Sequence, residues 1–397
     1  MRIPFILLVA LDLIAQSSSL SQRAKDLHRQ AFVFDGHVHV VNRQFYHGGS
    51  MGERTNRGQV DIPRLLEGGV DALFFTMFVT EDYYPQRYET KQVLRFIDEA
   101  YRQVELNKDK IGIALNASDI ERLNRQGKIA AVLDLEGGFD MDGDLGVLRM
   151  LHRLGLRSFQ LPSHNYANNF AEPCCASTKV KGLTEQGRAV VREANRLGMV
   201  INISHASQEA IQQAVETSTD PIVSTHDGLK FFNDIPRTMS ETTLRKLAAK
   251  GGLIGFHIGN EFHNRPLFEH RAKLAGKPFW DREDVHSAKP LSIFEIDRKI
   301  GPQFPMMGIS NPPAELVYTV EEWFRAVDKA IEWVGEDHVM LGTDFDGGPT
   351  PPTPMRHIGD LPWMTQAMLN KGYSEARIRK FLGGNLMRVF RQVTEKK

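Results

Sequence analysis

LTEQGRAVVREANRLGMVINISHAS, residues 183–207, holds one full period of the fold. Thr184-Glu185-Gln186 is a cap-like helix start, and the helical pattern it opens runs to Leu197 and stops before Gly198. Met199–Ser204 follows directly as an apolar run of strand length, and it ends on His205. Pro221–Thr225 repeats the pattern and ends on His226. Working outward, runs of the same kind occur at Phe32–Val40, Val70–Val79, Ile129–Leu135, Leu156–Leu161, Gly252–Ile258 and Val339–Thr343. Most are near-continuously apolar, as parallel strands covered on both faces should be. Helical periodicity separates most of them, in Thr90–Asn107 and Thr319–Val334 for example, and it recurs in Ser374–Arg391 after the last run and in Leu20–Gln30 before the first. Eight such strands alternating with helices predict an α/β fold of the (β/α)8 TIM-barrel type. Gly259–Pro313 breaks the rhythm, being rich in Pro, charge and aromatics without a long periodic helix. It reads as an insertion after strand seven, at the barrel end where active sites lie: a lid, a dimer contact or a padded loop.

The chain has 397 residues, 41% of them hydrophobic, which is enough for one large barrel core. Lys+Arg and Asp+Glu both total 49, so the net charge is zero and neither nucleic acid nor an anionic membrane is the expected partner. A small-molecule substrate is. Arg2 followed by the apolar run Ile3–Ile14 resembles a secretory signal peptide, too short for a comfortable membrane span. The division expected is a signal peptide over 1–19 and a single barrel domain over 20–397. Export to the periplasm or the medium follows if the signal is used, and a cytoplasmic location otherwise. The C-terminal RQVTEKK carries no hydrophobic anchor signal. Cys174 and Cys175 are adjacent, and neighbouring α-carbons ~3.8 Å apart fall short of the ~4.4–6.8 Å usual for a disulfide. The expectation is two unbridged cysteines packed in a loop.

The chemistry is concentrated where the runs end. In Asp35-Gly36-His37-Val38-His39 the two histidines are two apart, so a strand points both imidazoles to one face. Leu135-Glu136-Gly137-Gly138 puts a carboxylate at the end of an apolar strand, where burial is costly unless it is paired or metal-bound. With His205 and His226 these make five metal-type ligands at one end of the proposed barrel, and imidazole with carboxylate suits zinc and its neighbours. Each histidine alone would more often be an ordinary core or loop residue, and Glu136 alone reads equally as a ligand or as a salt-bridged or capping acid. Gly342-Thr343-Asp344-Phe345-Asp346 closes the eighth run. Asp344 there would face the metals and could move a proton, while Asp346 could point away and fix the loop.

These residues bring a family into view. His-x-His after strand one, a histidine after each of strands five and six, and Asp after strand eight resemble the amidohydrolase superfamily. More narrowly, DGHVH, LEGG, SFQLPSHNYANNFAEP, the long block around His205, IVSTHDG, IPRTMS, LGTDFDGG and GGNLMRVF resemble the membrane (renal-type) dipeptidases, from Asp35 to Phe390. The resemblance implies two zinc ions per subunit bridged by Glu136, with His37 and His39 on one and His205 and His226 on the other. It implies that Asp344 shuttles the proton, that His164 contacts the scissile carbonyl, and that Arg237 receives the substrate's C-terminal carboxylate. The activity implied is hydrolysis of a dipeptide by a hydroxide shared between the metals, with a homodimer left open. There is one departure, since the family pattern has Asp where this chain has His39. An imidazole there makes the site one unit more positive, which bears on metal choice and substrate. An amidohydrolase acting on N-acyl amino acids, lactams or lactones, and a non-catalytic secreted binding protein, are the competing readings.

Overall fold

A computed structural model describes residues 19–164, 168–176, 178–276 and 290–395. The expected signal peptide therefore lies, but for its last residue, outside the described residues. Nine strands form one sheet: β1 (Phe34–Val38), β2 (Ala72–Phe78), β3 (Ile111–Ile113), β4 (Ile129–Glu136), β5 (Ser158–Gln160), β6 (Val200–Asn202), β7 (Val223–Asp227), β8 (Leu253–Phe256) and β9 (Val339–Leu341). Eight of them run in the order β1-β2-β4-β5-β6-β7-β8-β9, every pairing parallel, and they correspond to the eight apolar runs. The barrel is drawn together where the chain leaves β9. Asp344 N–H donates to His37 O at 2.9 Å, and His39 N–H donates to Phe345 O at 3.0 Å. β3 is an addition that the sequence reading missed. It pairs with the first residues of β4, whose last residues pair with β5, so the two short strands share one edge of a long one.

Parity along the strands explains both the core and the site. On β2 and β4, Leu73, Phe75, Met77 and Ala131, Leu133, Leu135 join the large apolar layer. Ala72, Phe74, Ala130 and Val132 have the other parity and pack in a second cluster with Val200, Val223, Leu253 and Met340. Phe390, from the C-terminal helix Asn385–Thr394, lies edge-on to Phe34 and Phe74 in this cluster, with centroids 6.0 and 6.2 Å away. The turn Lys380–Gly384 that leads into that helix approaches β1 closely because Gly383 has no side chain; a Cβ there would meet Phe32 O and Phe34 N, each at 2.6 Å. The parity of Ala130 and Val132 then continues to Asp134 and Glu136, so the inward face that starts apolar ends polar.

The helices follow their caps. Thr184 accepts from Gly187 N–H and Gly198 adopts the left-handed conformation after Leu197, so the helix is Glu185–Leu197. Thr319 and Glu322 form a reciprocal capping box at the start of Val320–Val334. The expected helix over Ser374–Arg391 is interrupted by a wider turn at Lys380–Gly384. The insertion after β8 carries two helices, Arg265–Ala275 and Ile293–Ile300. Among the described residues no helix is long and apolar enough to cross a membrane.

The cysteine expectation is corrected. Cys174 and Cys175 form a disulfide with their α-carbons 3.7 Å apart. The usual Cα range describes links between separate segments, whereas neighbours close a small local ring. The segment is also pinned, Cys174 N–H donating to His205 O at 2.6 Å. A bridge between neighbours encloses no loop, so it removes little freedom from the unfolded chain and the fold still rests on its core.

Candidate metal centre

All five expected ligands meet at the C-terminal ends of the strands. The Glu136 carboxylate divides between them. Its Oε2 lies 3.2 Å from His37 Nε2 and 3.0 Å from His39 Nε2. Its Oε1 lies 3.1 Å from His205 Nε2 and 3.7 Å from His226 Nε2. Within each histidine pair the Nε2 atoms are 3.0 Å (His37, His39) and 3.1 Å (His205, His226) apart. Two imidazoles on one tetrahedral zinc, with Zn–N near 2.0–2.1 Å, put their nitrogens about 3.3 Å apart. The donor set therefore fits two cations, one on each side of Glu136.

The rings are oriented from behind, as metal-binding imidazoles usually are. Thr225 Oγ1 is 3.2 Å from His37 Nδ1 and 2.9 Å from His226 Nδ1. Asp134 Oδ2 stands 3.5 Å from His37 Nδ1. His39 differs, because its buried Nδ1 has no hydrogen-bond partner among the described residues.

Asp344 faces the first pair, with Oδ1 2.8 Å from His39 Nε2 and 3.7 Å from His37 Nε2, so it could also serve as a donor on that side. Burial alone would raise the carboxyl groups of Glu136 and Asp344. The imidazoles of His205, His37 and His39 hold Glu136 well below the usual carboxylate range, and His39 and His257 do the same for Asp344. Burial works against protonating His37 and His39, yet Asp134 and Glu136 push His37 up to about 9, and Asp344 and Glu136 push His39 up to about 10. Burial drives His205 and His226 far below their ordinary value, with Arg237 nearby adding to the effect. One half thus holds neutral imidazoles. The other half is anionic enough to hold protons that a divalent cation would displace.

His164 lines the same cavity. Its Nδ1 is 2.6 Å from Glu81 Oε1, which leaves Nε2 toward Glu136 Oε1 at 3.7 Å. Arg237 is buried one layer back, its Nη2 donating to His226 O at 2.5 Å and its Nη1 paired with Asp227 Oδ1 at 3.2 Å. Among the described residues the Lys or Arg that lines the cavity is Arg271, from the insertion helix, held by Glu261 at 2.6 Å. Asp346 turns away as expected and fixes the loop, accepting from Arg43 Nη1 at 2.8 Å and from Gln59 N–H. Backbone strain collects here too. His164, His205 and Asp344 all have positive φ, of 55°, 65° and 61°, which is uncommon for non-glycine residues.

The sequence pattern of membrane dipeptidases (peptidase family M19) matches residues 21–397. The chain belongs to that family. Among curated relatives, it is 26% identical over 346 residues to dipeptidase tcpJ of Claviceps purpurea, covering 85% of this chain and 70% of the relative. It is also 26% identical over 349 residues to dipeptidase 3 of Mus musculus, of which it spans only 59%. Among solved structures, the probable dipeptidase PvdM of Pseudomonas aeruginosa superposes with a TM-score of 0.76 at 22% identity, covering 94% of this chain and 98% of that one. A metallopeptidase of Rhodobacter sphaeroides liganded with a phosphinate mimic of L-Ala-D-Ala gives 0.71 at 22%, covering 91% and 99%. These neighbours share the barrel fold. Family membership makes this chain a metal-dependent dipeptidase, as its motifs led one to expect.

Sequence reading missed several residues of this dipeptidase site. Asp134 had a visible signal, since it shares the parity of Glu136 two positions on. His257 lies inside the seventh apolar run, Gly252–Ile258, and not after it as His205 and His226 lie after theirs, so it did not stand out. Glu81, Thr225 and Arg271 carry no sequence signal of their own; only packing brings Glu81 and Arg271 to the cavity and Thr225 behind the histidines.

Proposed function

We propose that this chain hydrolyses dipeptides with a free C-terminal carboxylate, using two zinc ions held by His37, His39, Glu136, His205 and His226. The observation that carries the reading is the division of Glu136, one oxygen toward each histidine pair. Bound there, the ions would polarise the carbonyl and bring the pKa of water from about 15.7 toward ~7. The chain's own residues do the rest. His164, oriented by Glu81, steadies the oxygen of the carbonyl under attack. Asp344 takes a proton and delivers it to the departing amine. The family resemblance assigns the terminal carboxylate to Arg237, whose buried Nε lacks a hydrogen-bond partner although the side chain lies one layer behind the cavity wall.

The test is elemental analysis together with turnover of a panel of dipeptides, N-acyl amino acids, lactams and lactones. The reading requires two equivalents of zinc and clear preference for dipeptides; better turnover of lactones or acyl amino acids sinks the peptide assignment. Arg237→Ala should raise KM for dipeptides and leave C-terminally amidated ones unaffected. If Arg271→Ala does this instead, the carboxylate docks on the insertion.

A further inference from the structure

We propose that His257 is a positioning residue that fixes the carboxylate of Asp344 for proton transfer; this rests on the reading of Asp344 given above. His257 follows the last residue of β8 and is buried, yet its ring reaches the cavity. Its Nε2 lies 2.8 Å from Asp344 Oδ2. Its Nδ1 accepts the N–H of Gly259 at 2.8 Å. A backbone amide can only donate, so the proton of the neutral ring is on Nε2, the nitrogen 2.8 Å from Asp344 Oδ2.

The ring itself has little freedom. It stacks on Phe262 with centroids 3.9 Å apart and planes 14° from parallel. The backbone is held at both ends of the residue: His257 N–H donates to Asp227 O at 3.0 Å, and His257 O accepts from Trp323 Nε1 at 3.1 Å and from His263 Nε2 at 2.8 Å. Asp344 thus stands between two imidazoles, each 2.8 Å away, His39 on Oδ1 and His257 on Oδ2. With Oδ2 occupied by a fixed donor, Oδ1 is the oxygen left facing the metal donors and the substrate. His257 spares Asp344 a rotation at the moment of transfer, and that kind of preorganisation acts on kcat rather than on binding.

Two substitutions separate the hydrogen bond from the packing. His257→Phe keeps a ring against Phe262 without the donor, and His257→Gln keeps an N–H near the Nε2 position without the ring. On the zinc-loaded full chain, His257→Phe should lower kcat about 10–100-fold, the usual cost of removing such a supporting hydrogen bond. KM should stay within about twofold, zinc content and Tm should be unchanged, and His257→Gln should recover most of the rate. A crystal structure of His257→Phe should show the Asp344 carboxylate rotated relative to His39. Unchanged kcat in His257→Phe overturns the proposal, as does a loss confined to KM, lost zinc, or equal losses in both variants. Asp344→Asn run in parallel keeps the two ideas apart. If it retains wild-type kcat, the proton-transfer reading itself fails; if it is dead while His257→Phe is normal, only the role of His257 does.

Discussion

Single side chains set the limits of this site, and Gly347 shows how tightly. A Cβ at that position would collide with Asp344 Oδ1 and lie 2.7 Å from His39 Cδ2. Gly347→Ala should therefore displace Asp344 and lower kcat by at least ~10-fold, since small misplacements at a reacting centre are costly. Circular dichroism and thermal melting should show the fold intact. A normal kcat would mean that Asp344 is not held where it must act. Arg43 has a structural task instead. It is the cation facing Asp346 in a fully buried pair, and burial pushes that carboxyl up to about 6 although Arg43 draws it down. Removing one partner of a buried pair leaves a charge stranded, so Arg43→Met should cost about 3–5 kcal/mol in urea unfolding. A loss below ~1 kcal/mol would show that the loop after β9 does not depend on the pair.

At the scale of elements, the helices behave as their ends dictate. Thr184 satisfies one otherwise unpaired N–H of the helix Glu185–Leu197, and Thr184→Ala should destabilise the protein by ~1 kcal/mol with no change in kcat. Since this helix leads straight through Gly198 into β6, a change in kcat would reveal that the cap also helps aim His205. The insertion follows a different logic. Its helix Arg265–Ala275 has the weaker apolar periodicity of an element covered on part of its surface only, with Leu267 and Phe268 buried. Its sequence therefore carries no long amphipathic pattern. The same helix brings Arg271 to the cavity, so the part of the chain hardest to read by pattern contributes directly to the wall of the site.

For the whole molecule, acid sensitivity comes from buried histidines as well as from the metal centre. Burial lowers His263 to about 3, despite its hydrogen bond to His257 O, and burial also lowers His28. A base whose folded pKa is depressed binds fewer protons folded than unfolded, so stability falls as pH falls from about 6.5 toward 3. Relative to wild type, His263→Gln should flatten this part of the stability curve, measured by urea unfolding at a series of pH values. Parallel curves would assign the acid loss to other groups. How far the sequence could be read follows the range of the forces involved. Strand runs, caps and the ends of runs are local patterns, so eight barrel strands, the helix at Glu185–Leu197 and five histidine and glutamate positions were legible before any coordinates. β3 is three residues long and owes its place to a free edge of β4, which no local pattern encodes. The withdrawal of Arg237 behind His226 and the closing of His257 on Asp344 depend on which segments the barrel brings together. The sequence by itself determined a barrel with metal-type ligands at one end, because hydrophobic periodicity and strand parity act over a few residues. Only the tertiary structure decided how Glu136 is shared between the two histidine pairs and what holds Asp344 in place, because those relations join the ends of different strands: Glu136 of β4 with histidines at the ends of β1, β6 and β7, and Asp344 after β9 with His257 after β8.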